Sequence, residues 1–421
     1  MDRRKWPRAR PQALRTWEQL IILHPEIAIN RGVLAAAVLG LTVGMLSGLF
    51  YSMGTLIPVW EGEFGWSRGD MSLSLTFVTI ALFFCGPMAG LLGDRFGASR
   101  VGAFSLVGYG TLLILLAAFM SEIWQLWVGY IALAVLGAGS TAIVLIHPIA
   151  AAFDERRGIA MGICMTGAGI AGFWVPQFVA YLVALDGWRS ALMALGALAV
   201  LAAPVVWIGF RGYSKTIGTE ESVDYGPSFA AAIRTAPFWV LSLMAISMSL
   251  GVGGLVVHFV PFFTDLGADV VKAAQIASIL GLSSVVGRIG VGMSLDRMPA
   301  PLVALCALVV AAIGVFMLYL FGLQLAPVAV ALIGLAAGAE VDLVAYLCSR
   351  QFGTRAYGTI YGWQYSVFVM GYGFSPFLVG LSRDYFGNYD PALLASAGAV
   401  GLAGFLALLL KPRPEFASKP A

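Results

Sequence analysis

The 421-residue sequence contains very few charged residues. Asp, Glu, Lys and Arg make up 11% of the chain, whereas hydrophobic residues make up 60%. A soluble domain typically carries about 25% charged residues, so this chain has too few to cover a water-exposed surface of normal size. The composition therefore excludes an ordinary soluble globular protein and favours one that is embedded in lipid.

Cysteine, histidine and clusters of like charge are also scarce. The 4 cysteines (Cys85, Cys164, Cys306 and Cys348) fall within apolar runs and lack the spacing of metal ligands, so we interpret them as packing residues. The net charge of +3 is not gathered into the basic patch of a nucleic-acid-binding protein. The sequence has no phosphate-binding glycine loop after a strand and no nucleophile beside a recognisable base. We therefore expect neither an enzyme nor a cofactor.

Long apolar runs are what the sequence has in abundance. Many exceed the roughly 18 residues that indicate a membrane-spanning helix, and runs of this length exclude the strands of a membrane barrel. We predict an all-α membrane protein with two six-helix bundles, at 33–210 and 237–410. The twelve predicted spans are 33–60, 71–93, 101–120, 125–150, 159–184, 189–210, 237–262, 272–294, 300–320, 326–349, 358–381 and 391–410.

The lysines and arginines lie mostly on one side of these spans. If both termini are cytoplasmic, 20 of the 25 lie in cytoplasmic segments and 4 in outer loops, namely Arg68, Arg189, Lys272 and Arg383. The positive-inside rule then predicts cytoplasmic tails at 1–32 and 411–421 and a cytoplasmic central loop at 211–236. The first tail lacks the pattern of a cleaved signal peptide, and we expect an interfacial helix near Trp17–Ile27.

The two halves of the sequence resemble each other at a shift of about 200 residues. The matches are Gly65 with Gly267, Gly90 with Gly292 and Asp94 with Asp296 at an offset of 202, and Gly158 with Gly358, Gly162 with Gly362 and Pro176 with Pro376 at an offset of 200. Parallel six-helix repeats are typical of secondary transporters whose halves rock about a central site.

A loop motif follows the second predicted span. It reads Gly90-Leu-Leu-Gly93-Asp94-Arg95-Phe96-Gly97-Ala98-Ser99-Arg100, and a degenerate copy runs from Gly287 to Arg297. The pair resembles the loop signature of the major facilitator superfamily. Its glycines allow close helix approach, and an aspartate at a helix end can pair with arginines of the other bundle and latch one face shut. We predict a gating role for Gly90, Asp94, Arg95, Arg100, Asp296 and Arg297; the alternative is an ordinary charged turn.

Several shorter motifs point to a narrower family. They are Glu63-Phe64-Gly65-Trp66-Ser67-Arg68, the run from Phe153 to Gly162, Gly187-Trp188-Arg189, Pro261 and Gly287-Arg288. Together they resemble the monocarboxylate porter family, and especially its bacterial branch, which is similar to the oxalate:formate antiporter. The resemblance implies small organic anions as substrates and a bacterial inner membrane as the location.

Three ionised residues lie well inside the predicted spans: Arg288, Glu340 and Asp342. Each costs about 2.5–3.5 kcal/mol at a helix centre on insertion scales. Arg288 lies eight residues before Asp296, about 12 Å into the membrane, and a guanidinium can bind a carboxylate through two hydrogen bonds. The resemblance likewise implies that this arginine binds the substrate carboxylate. The alternative is a structural salt bridge to Glu340 or Asp342, and the two roles can coexist.

The two intramembrane carboxyl groups cannot both face one cavity squarely. Glu340 and Asp342 are two residues apart and therefore point about 200° apart around a helix. A carboxyl group in a low-dielectric site binds a proton readily, so we predict that one of the two carries a proton together with the anion. The alternative is a fixed hydrogen-bonded pair within the second half.

Other polar residues inside the spans are candidate substrate ligands. They are His258, Tyr346, Tyr361 and Gln364, with Tyr51 and Tyr365 as further hydroxyl groups. A histidine inside a membrane can bind substrate or a proton, but His258 and His147 could equally be satisfied hydrogen-bonding residues. The aromatic residues could equally serve as packing.

The predicted function is proton-coupled symport of a monocarboxylate by alternating access, carried out by a monomer in a lipid bilayer. Two departures from the animal monocarboxylate porters bear on this prediction. Ser284 stands where those proteins carry a proton-linked aspartate, and span 33–60 lacks their lysine. A single cavity cation favours one carboxylate over a dicarboxylate. An organic-anion exchanger of the oxalate:formate type and a drug-efflux antiporter are the alternatives, although the arginine and Gly-Pro patterns of efflux proteins are missing.

Overall fold

The computed structural model describes residues 29–153, 157–212, 226–295, 297–353 and 355–410. Within these ranges the chain forms sixteen α-helices and two short 3-10 helices, Ala138–Ser140 and Gly322–Gln324. The α-helices are α1 (Arg31–Thr42), α2 (Met45–Phe64), α3 (Arg68–Phe96), α4 (Ala98–Phe119), α5 (Ile123–Gly137), α6 (Ala142–Leu145), α7 (His147–Ala152), α8 (Arg157–Gly209), α9 (Phe229–Ala232), α10 (Ala236–Asp265), α11 (Val270–Leu295), α12 (Ala300–Phe321), α13 (Ala326–Ala337), α14 (Glu340–Phe352), α15 (Tyr357–Phe386) and α16 (Asp390–Leu409).

Eleven helical segments of the described chain are long and apolar enough to cross a membrane. One of them, Ile159–Gly209, has 51 residues and would be about 77 Å long as a single helix, far more than the roughly 30 Å of a hydrocarbon core. It is broken at Gly187, whose φ of 83° suits a glycine far better than an L-residue with a side chain. This segment is therefore two spans, and the predicted fold of twelve transmembrane helices in two six-helix bundles is confirmed.

The first, fourth and tenth spans are each built from shorter helical pieces. α1 and α2 are separated at Val43 and Gly44, and the backbone N–H of Met45 donates to Ser140 Oγ in the break of the fourth span (3.1 Å). The break of the tenth span lies between α13 and α14, at Gly338 and Ala339. The breaks of the fourth and tenth spans are about 200 residues apart, which is the offset of the sequence repeat.

The buried apolar side chains form two separate cores. The first contains residues from Val33 to Phe210 together with Val257, and the second contains residues from Ala232 to Leu410 together with Ala180. Tyr51 and Tyr372 pack against both cores. The halves of the molecule are thus packed independently and meet along an interface that these two tyrosines bridge.

The twelve spans give the protein two faces. Because the number of spans is even, the described chain begins and ends at the same face, which we call the terminal face; the opposite one is the distal face. The first described residues lie beside the end of the fourth span, where Asn30 Nδ2 donates to the carbonyl of Ala152 (3.0 Å).

The two halves are in close contact toward the distal face. Gly69 in α3 lies beside Leu381 and Asp384 of α15, and a Cβ at Gly380 would lie only 2.8 Å from the backbone of Arg68. A Cβ at Gly373 would collide with Thr79. Small residues therefore let the second and eleventh spans meet backbone to backbone.

Toward the terminal face, helix surfaces of the fifth, eighth and eleventh spans that continue from the central cavity are separated from other helices. Gly162, Gly292 and Gly362 each lie three or four residues from a residue that lines the central cavity, on the same face of the helix and nearer the terminal face. Nothing lies within 4 Å of the position where a Cβ would stand at any of the three. The molecule is therefore closed at the distal face and open at the terminal face.

Candidate functional site

A cavity of about 220 Å³ lies between the two halves. Most of its wall is apolar. The polar and aromatic side chains that line it are Ser47, Phe50, Tyr51, Thr79 and Thr166 from the first half and Ser284, Arg288, Glu340, Tyr365, Phe368 and Tyr372 from the second. A largely apolar cleft with a few polar groups is the usual form of a small-molecule site, and this one contains a cation and a carboxyl group.

Close packing of the eighth and tenth spans positions Arg288. A Cβ at Gly287 would collide with the carbonyl of Leu335, and one at Gly338 would collide with the carbonyl of Ser284. At this separation Arg288 Nε donates a hydrogen bond to the carbonyl oxygen of Gly338 (2.9 Å). The glycines therefore hold the guanidinium at a fixed place in the cavity wall.

Arg288 uses Nε for its contacts with the protein. Asp342 Oδ2 lies 3.5 Å from this same atom, and the arginine side chain is 18% exposed. Neither terminal nitrogen has a hydrogen-bond partner among the described residues. Four N–H groups thus remain available to an anion in the cavity, and a carboxylate can accept two of them in parallel.

Glu340 is the first residue of α14 and lies on the cavity wall. Its side chain is 1% exposed, and Oε1 has no hydrogen-bond partner in the described part of the chain. No cation of the described residues lies within ion-pair distance of it. Burying an ionised carboxylate without a partner is costly, and a bound proton removes that cost.

Glu340 and Asp342, which the sequence could not distinguish, lie in different surroundings in the structure. Glu340 lines the cavity, whereas Asp342 is absent from its wall and contacts Arg288. The Asp342 side chain is 46% exposed. Both carboxyl groups lie in the first turn of α14, where the unpaired N–H groups of the helix start favour negative charge.

The four other predicted substrate ligands lie away from the cavity wall. His258 is buried toward the distal face, and Gln364 is buried with Nε2 donating to the carbonyl of Phe238 (3.2 Å). Tyr361 stacks between two tyrosines of α15, and the Tyr346 hydroxyl accepts a hydrogen bond from Arg350 Nη2 (2.9 Å). The structure therefore does not bring these side chains together with Arg288.

Several cavity residues were not singled out by the sequence, among them Thr79 and Tyr372. Tyr372 lines the cavity together with Tyr51, Arg288 and Glu340. Two tyrosine side chains therefore share the cavity wall with the guanidinium and the carboxyl group. Nothing in the local sequence distinguishes Tyr372 from packing aromatics, because its position depends on how α15 meets the first half.

A network of ionised groups joins the two halves at the distal face. Arg68 Nη1 and Nη2 donate to the two oxygens of Asp265 (2.9 and 2.7 Å), Nε donates to Glu61 (2.9 Å), and Nη1 also donates to the Tyr389 hydroxyl (3.0 Å). Arg383 Nε donates to Asp265 as well (2.9 Å). We call Glu61, Arg68, Asp265, Arg383, Asp384 and Tyr389 the distal seal.

Asp384 completes the distal seal by capping a helix of the other half. Its two oxygens accept hydrogen bonds from the backbone N–H groups of Arg68 (3.2 Å) and Gly69 (2.8 Å) at the start of α3. A carboxylate at a helix N-terminus satisfies unpaired donors and complements the helix dipole. The sequence had placed Arg68 and Arg383 in outer loops and did not predict this network.

The predicted gating residues lie at the open terminal face. Asp94 Oδ1 is 3.4 Å from His147 Nδ1, within the first half. The other described members are Gly90, beside Ile143; Arg95, over the ring of Phe96; and Arg100 and Arg297, which are exposed. Asp296 lies outside the described residues, as do the expected interfacial helix near Trp17–Ile27 and residues 213–225 of the central loop. A latch between the halves at this face stays a prediction.

Comparison with known proteins shows the family to which the sequence is related. The sequence profile of the Major Facilitator Superfamily matches residues 36–376. Monocarboxylate transporter 13 of Bos taurus is 29% identical over 347 residues, which cover 78% of this chain and 77% of that protein. Monocarboxylate transporter 11 of Homo sapiens is 25% identical over 402 residues, which cover 90% of this chain and 83% of that protein.

Solved structures show the same fold at low sequence identity. A D-xylose-proton symporter superposes with a TM-score of 0.70 at 15% identity, covering 93% of this chain and 98% of that chain. A bacterial homologue of the human lysosomal transporter Spinster, in an inward-facing and occupied conformation, superposes with a TM-score of 0.68 at 16% identity, covering 94% and 98%.

Proposed function

The chain belongs to the Major Facilitator Superfamily, and from this premise we propose that it is a proton-coupled symporter of monocarboxylates that works by alternating access. It is a membrane transporter and not an enzyme. The observation that carries the proposal is the cavity between the halves, which combines a guanidinium with free terminal nitrogens and a buried carboxyl group without a partner. The names of the monocarboxylate transporters to which the chain is similar support the substrate class.

Arg288 binds the substrate carboxylate in this proposal. Its Nε is anchored on Gly338 and approached by Asp342, so the plane of the guanidinium is set before the anion arrives. Preorganisation of this kind lowers the entropy lost on binding. Asp342 therefore acts as a positioning residue, and its partial exposure makes it a weak competitor for the guanidinium.

Glu340 carries the proton. When it is neutral, Arg288 is the one charged side chain on the described cavity wall, since Asp342 lies off that wall and is 46% exposed, and a bound monocarboxylate neutralises the guanidinium. The loaded cavity is then neutral and apolar enough for the halves to close around it. An empty cavity with an ionised Glu340 is also balanced in charge, but it buries two separated ions at a higher cost. This difference favours movement of the anion and the proton together.

The structure supplies one of the two states that alternating access requires. The distal seal is formed, and the terminal face is open. The distribution of basic residues supports a cytoplasmic terminal face, so we assign the structure to the inward-facing state. We propose a bacterial inner membrane as the location and a monomer as the functional unit.

Uptake into proteoliposomes tests this function. The purified protein is reconstituted, an acidic exterior is applied, and initial uptake of labelled L-lactate, pyruvate and oxalate is measured. Arg288→Gln should lower monocarboxylate uptake by about 100-fold, because loss of one partner of a desolvated charge pair costs about 2–5 kcal/mol. Lys272→Gln removes an exposed cation from the same helix, α11, and should leave uptake unchanged.

Two results would contradict the proposal. Undiminished uptake in Arg288→Gln would show that the guanidinium does not bind the anion. Uptake that ignores the pH gradient and requires anion inside the vesicles would identify an exchanger instead of a symporter.

A further inference from the structure

The hydrogen bonds around His258 define the protonation state of this side chain. His258 is 1% exposed in α10, between the cavity and the distal seal. Its Nε2 lies 2.9 Å from the carbonyl oxygen of Pro376 and 3.1 Å from Ser72 Oγ, and its Nδ1 lies 3.0 Å from the Tyr389 hydroxyl. The ring is thus held by groups from both halves.

The direction of each hydrogen bond follows from whether its partner can donate or accept a hydrogen. A carbonyl oxygen only accepts, so Nε2 carries a hydrogen and donates it to Pro376. In the neutral ring Nδ1 is then the acceptor, so the Tyr389 hydroxyl, which accepts from Arg68 Nη1, donates its own hydrogen to Nδ1. A continuous chain of donors runs from Arg68 through Tyr389 and His258 to Pro376. The closed distal seal accommodates the neutral ring with its hydrogen on Nε2.

A second proton on the ring would break this chain. An N–H at Nδ1 would face the hydroxyl hydrogen of Tyr389, which would have to turn away from its acceptor. The buried cation would also have no carboxylate in contact, and it would lie across one hydroxyl group from the Arg68 guanidinium. The titratable and charged groups that face it are Glu61 from α2, Arg68 from α3, Asp265 from α10 itself, Arg383 and Asp384 from α15, and Tyr389 before α16.

The carboxylates of this set are already engaged. Asp265 is bound by Arg68 and Arg383, Glu61 by Arg68, and Asp384 by two backbone N–H groups. None of them contacts His258 in the described structure. Opening of the seal would separate these groups and expose the ring to water, where a histidine titrates between about pH 5 and 8.

We propose that His258 is a proton-binding site on the distal side of the transport cycle, which takes up a proton while the distal seal is open and must release it before the seal can close. The proton adds to Nδ1 from external water and leaves from the same atom. This inference rests on the proposed symport, in which Glu340 is the acceptor on the cavity side.

The position of His258 suits a transfer toward Glu340. Nε2 keeps its hydrogen on the Pro376 carbonyl and Nδ1 faces the distal seal, so the proton leaves Nδ1 through water while the distal side is still open and adds to the Glu340 carboxylate, which lines the cavity. On transfer His258 becomes neutral, as the closed seal requires, and the Glu340 carboxylate becomes a neutral acid, as the loaded cavity requires. Loading of the proton then precedes closure of the distal face.

The inference is tested by measuring seal opening directly, without a substrate. Spin labels are attached to cysteines placed at Gly62 and Tyr385, two exposed distal positions in opposite halves, after Cys85, Cys164, Cys306 and Cys348 have been replaced by alanine. Distances between the labels are measured by pulsed electron resonance in lipid nanodiscs from pH 8 to pH 5. The open-to-closed ratio should rise up to about tenfold for each pH unit below the titration of the exposed histidine.

Variants distinguish His258 from other titrating groups. His258→Gln keeps an N–H donor for Pro376 and should abolish the pH response, whereas His147→Gln, at the terminal face, should retain it. Tyr389→Phe removes the donor to Nδ1 and should raise the open fraction at pH 8 while the pH response persists. If His258→Gln does not fold, Tyr389→Phe still tests the chain of hydrogen bonds through His258.

An unchanged pH response in His258→Gln, or a closed seal at every pH in the parent protein, would overturn the inference. Uptake experiments in the same variants separate it from the proposed function. Loss of the external pH dependence in His258→Gln with anion counterflow retained would support the proton site. Absence of proton-linked uptake in the parent, together with a pH-dependent seal, would refute the symport and the transfer to Glu340 but retain the proton site.

Discussion

Two arginines in this protein lie near carboxylates, and they differ in how far their hydrogen bonds are satisfied. Arg68, with a side chain that is 5% exposed, donates from Nε and both terminal nitrogens to groups on both halves. Arg288 has one good hydrogen bond, from Nε to Gly338, and keeps its terminal nitrogens in the cavity. A fully paired arginine holds structure together, whereas a partly paired arginine beside a cavity can bind a ligand.

We expect the largest difference between the two arginines when each guanidinium is removed in turn. Arg68→Gln leaves Glu61 without a partner at the seal and Asp265 with Arg383 alone, and breaking a buried ion pair costs about 3–5 kcal/mol. We expect the closed-to-open ratio of the distal face to fall by at least about 100-fold, measured between the spin labels at Gly62 and Tyr385 at pH 8. Arg288→Gln should leave that ratio unchanged, and equal opening in both variants would contradict the assignment.

Arg288→Lys tests the geometry of the guanidinium, because it keeps the positive charge but removes the planar group of N–H donors. A lysine ammonium group cannot do two things at once: donate to Gly338 as Nε does, and bind a carboxylate through two parallel N–H groups. We expect kcat/KM for monocarboxylate uptake to fall by about 30-fold, roughly 2 kcal/mol. Activity equal to that of the parent would mean that a point charge is sufficient and that the geometry of the guanidinium is irrelevant.

Gly338→Ala tests whether helix packing positions Arg288. The added methyl group would collide with the carbonyl of Ser284, and overpacking of this kind costs about 1–3 kcal/mol. Separation of the eighth and tenth spans should weaken the Nε hydrogen bond and lower uptake by about tenfold. Gly290→Ala is the matched control on α11, because nothing lies within 4 Å of its Cβ position. Equal loss in both variants would show that the effect is not specific to this contact.

Asp342→Asn should have the smallest effect. Its contact with Arg288 is 3.5 Å long and half-exposed, and such pairs contribute about 0–1 kcal/mol. We expect the KM for the anion to change by no more than about threefold, with proton coupling intact. Loss of coupling in Asp342→Asn but not in Glu340→Gln would reverse the roles that we assign to the two carboxyl groups.

The fold could be predicted from the sequence because each helix that crosses a lipid bilayer needs a continuous apolar run of about 20 residues. Every predicted span corresponds to one helix or to a run of shorter helices, with ends that differ by a few residues. The differences arise where charged residues were assigned to loops: Arg68 and Asp265 are the first and last residues of α3 and α10. The breaks near Gly44 and Gly338 lie inside apolar runs and depend on contacts with other spans, so the sequence contained no signal for them.

The candidate site was predictable only where a charge stands in an apolar run. Arg288 and Glu340 were identified for that reason. The helical wheel separated Glu340 from Asp342 but could not say which faces the cavity, because that depends on the neighbouring spans. His258 shows the same limit: its partners Ser72, Pro376 and Tyr389 are more than 100 residues away along the chain, and only the assembled bundle places it at the distal seal.

Proton uptake on anion binding tests the central claim most directly. Titration calorimetry of the purified protein with L-lactate or pyruvate, in two buffers of different ionisation enthalpy, measures the protons bound per anion. At a pH where the empty protein holds Glu340 ionised, we expect close to one proton per anion in the parent, binding without proton uptake in Glu340→Gln, and no measurable binding in Arg288→Gln. Anion binding that takes up no proton in the parent, or that persists in Arg288→Gln, would contradict that claim.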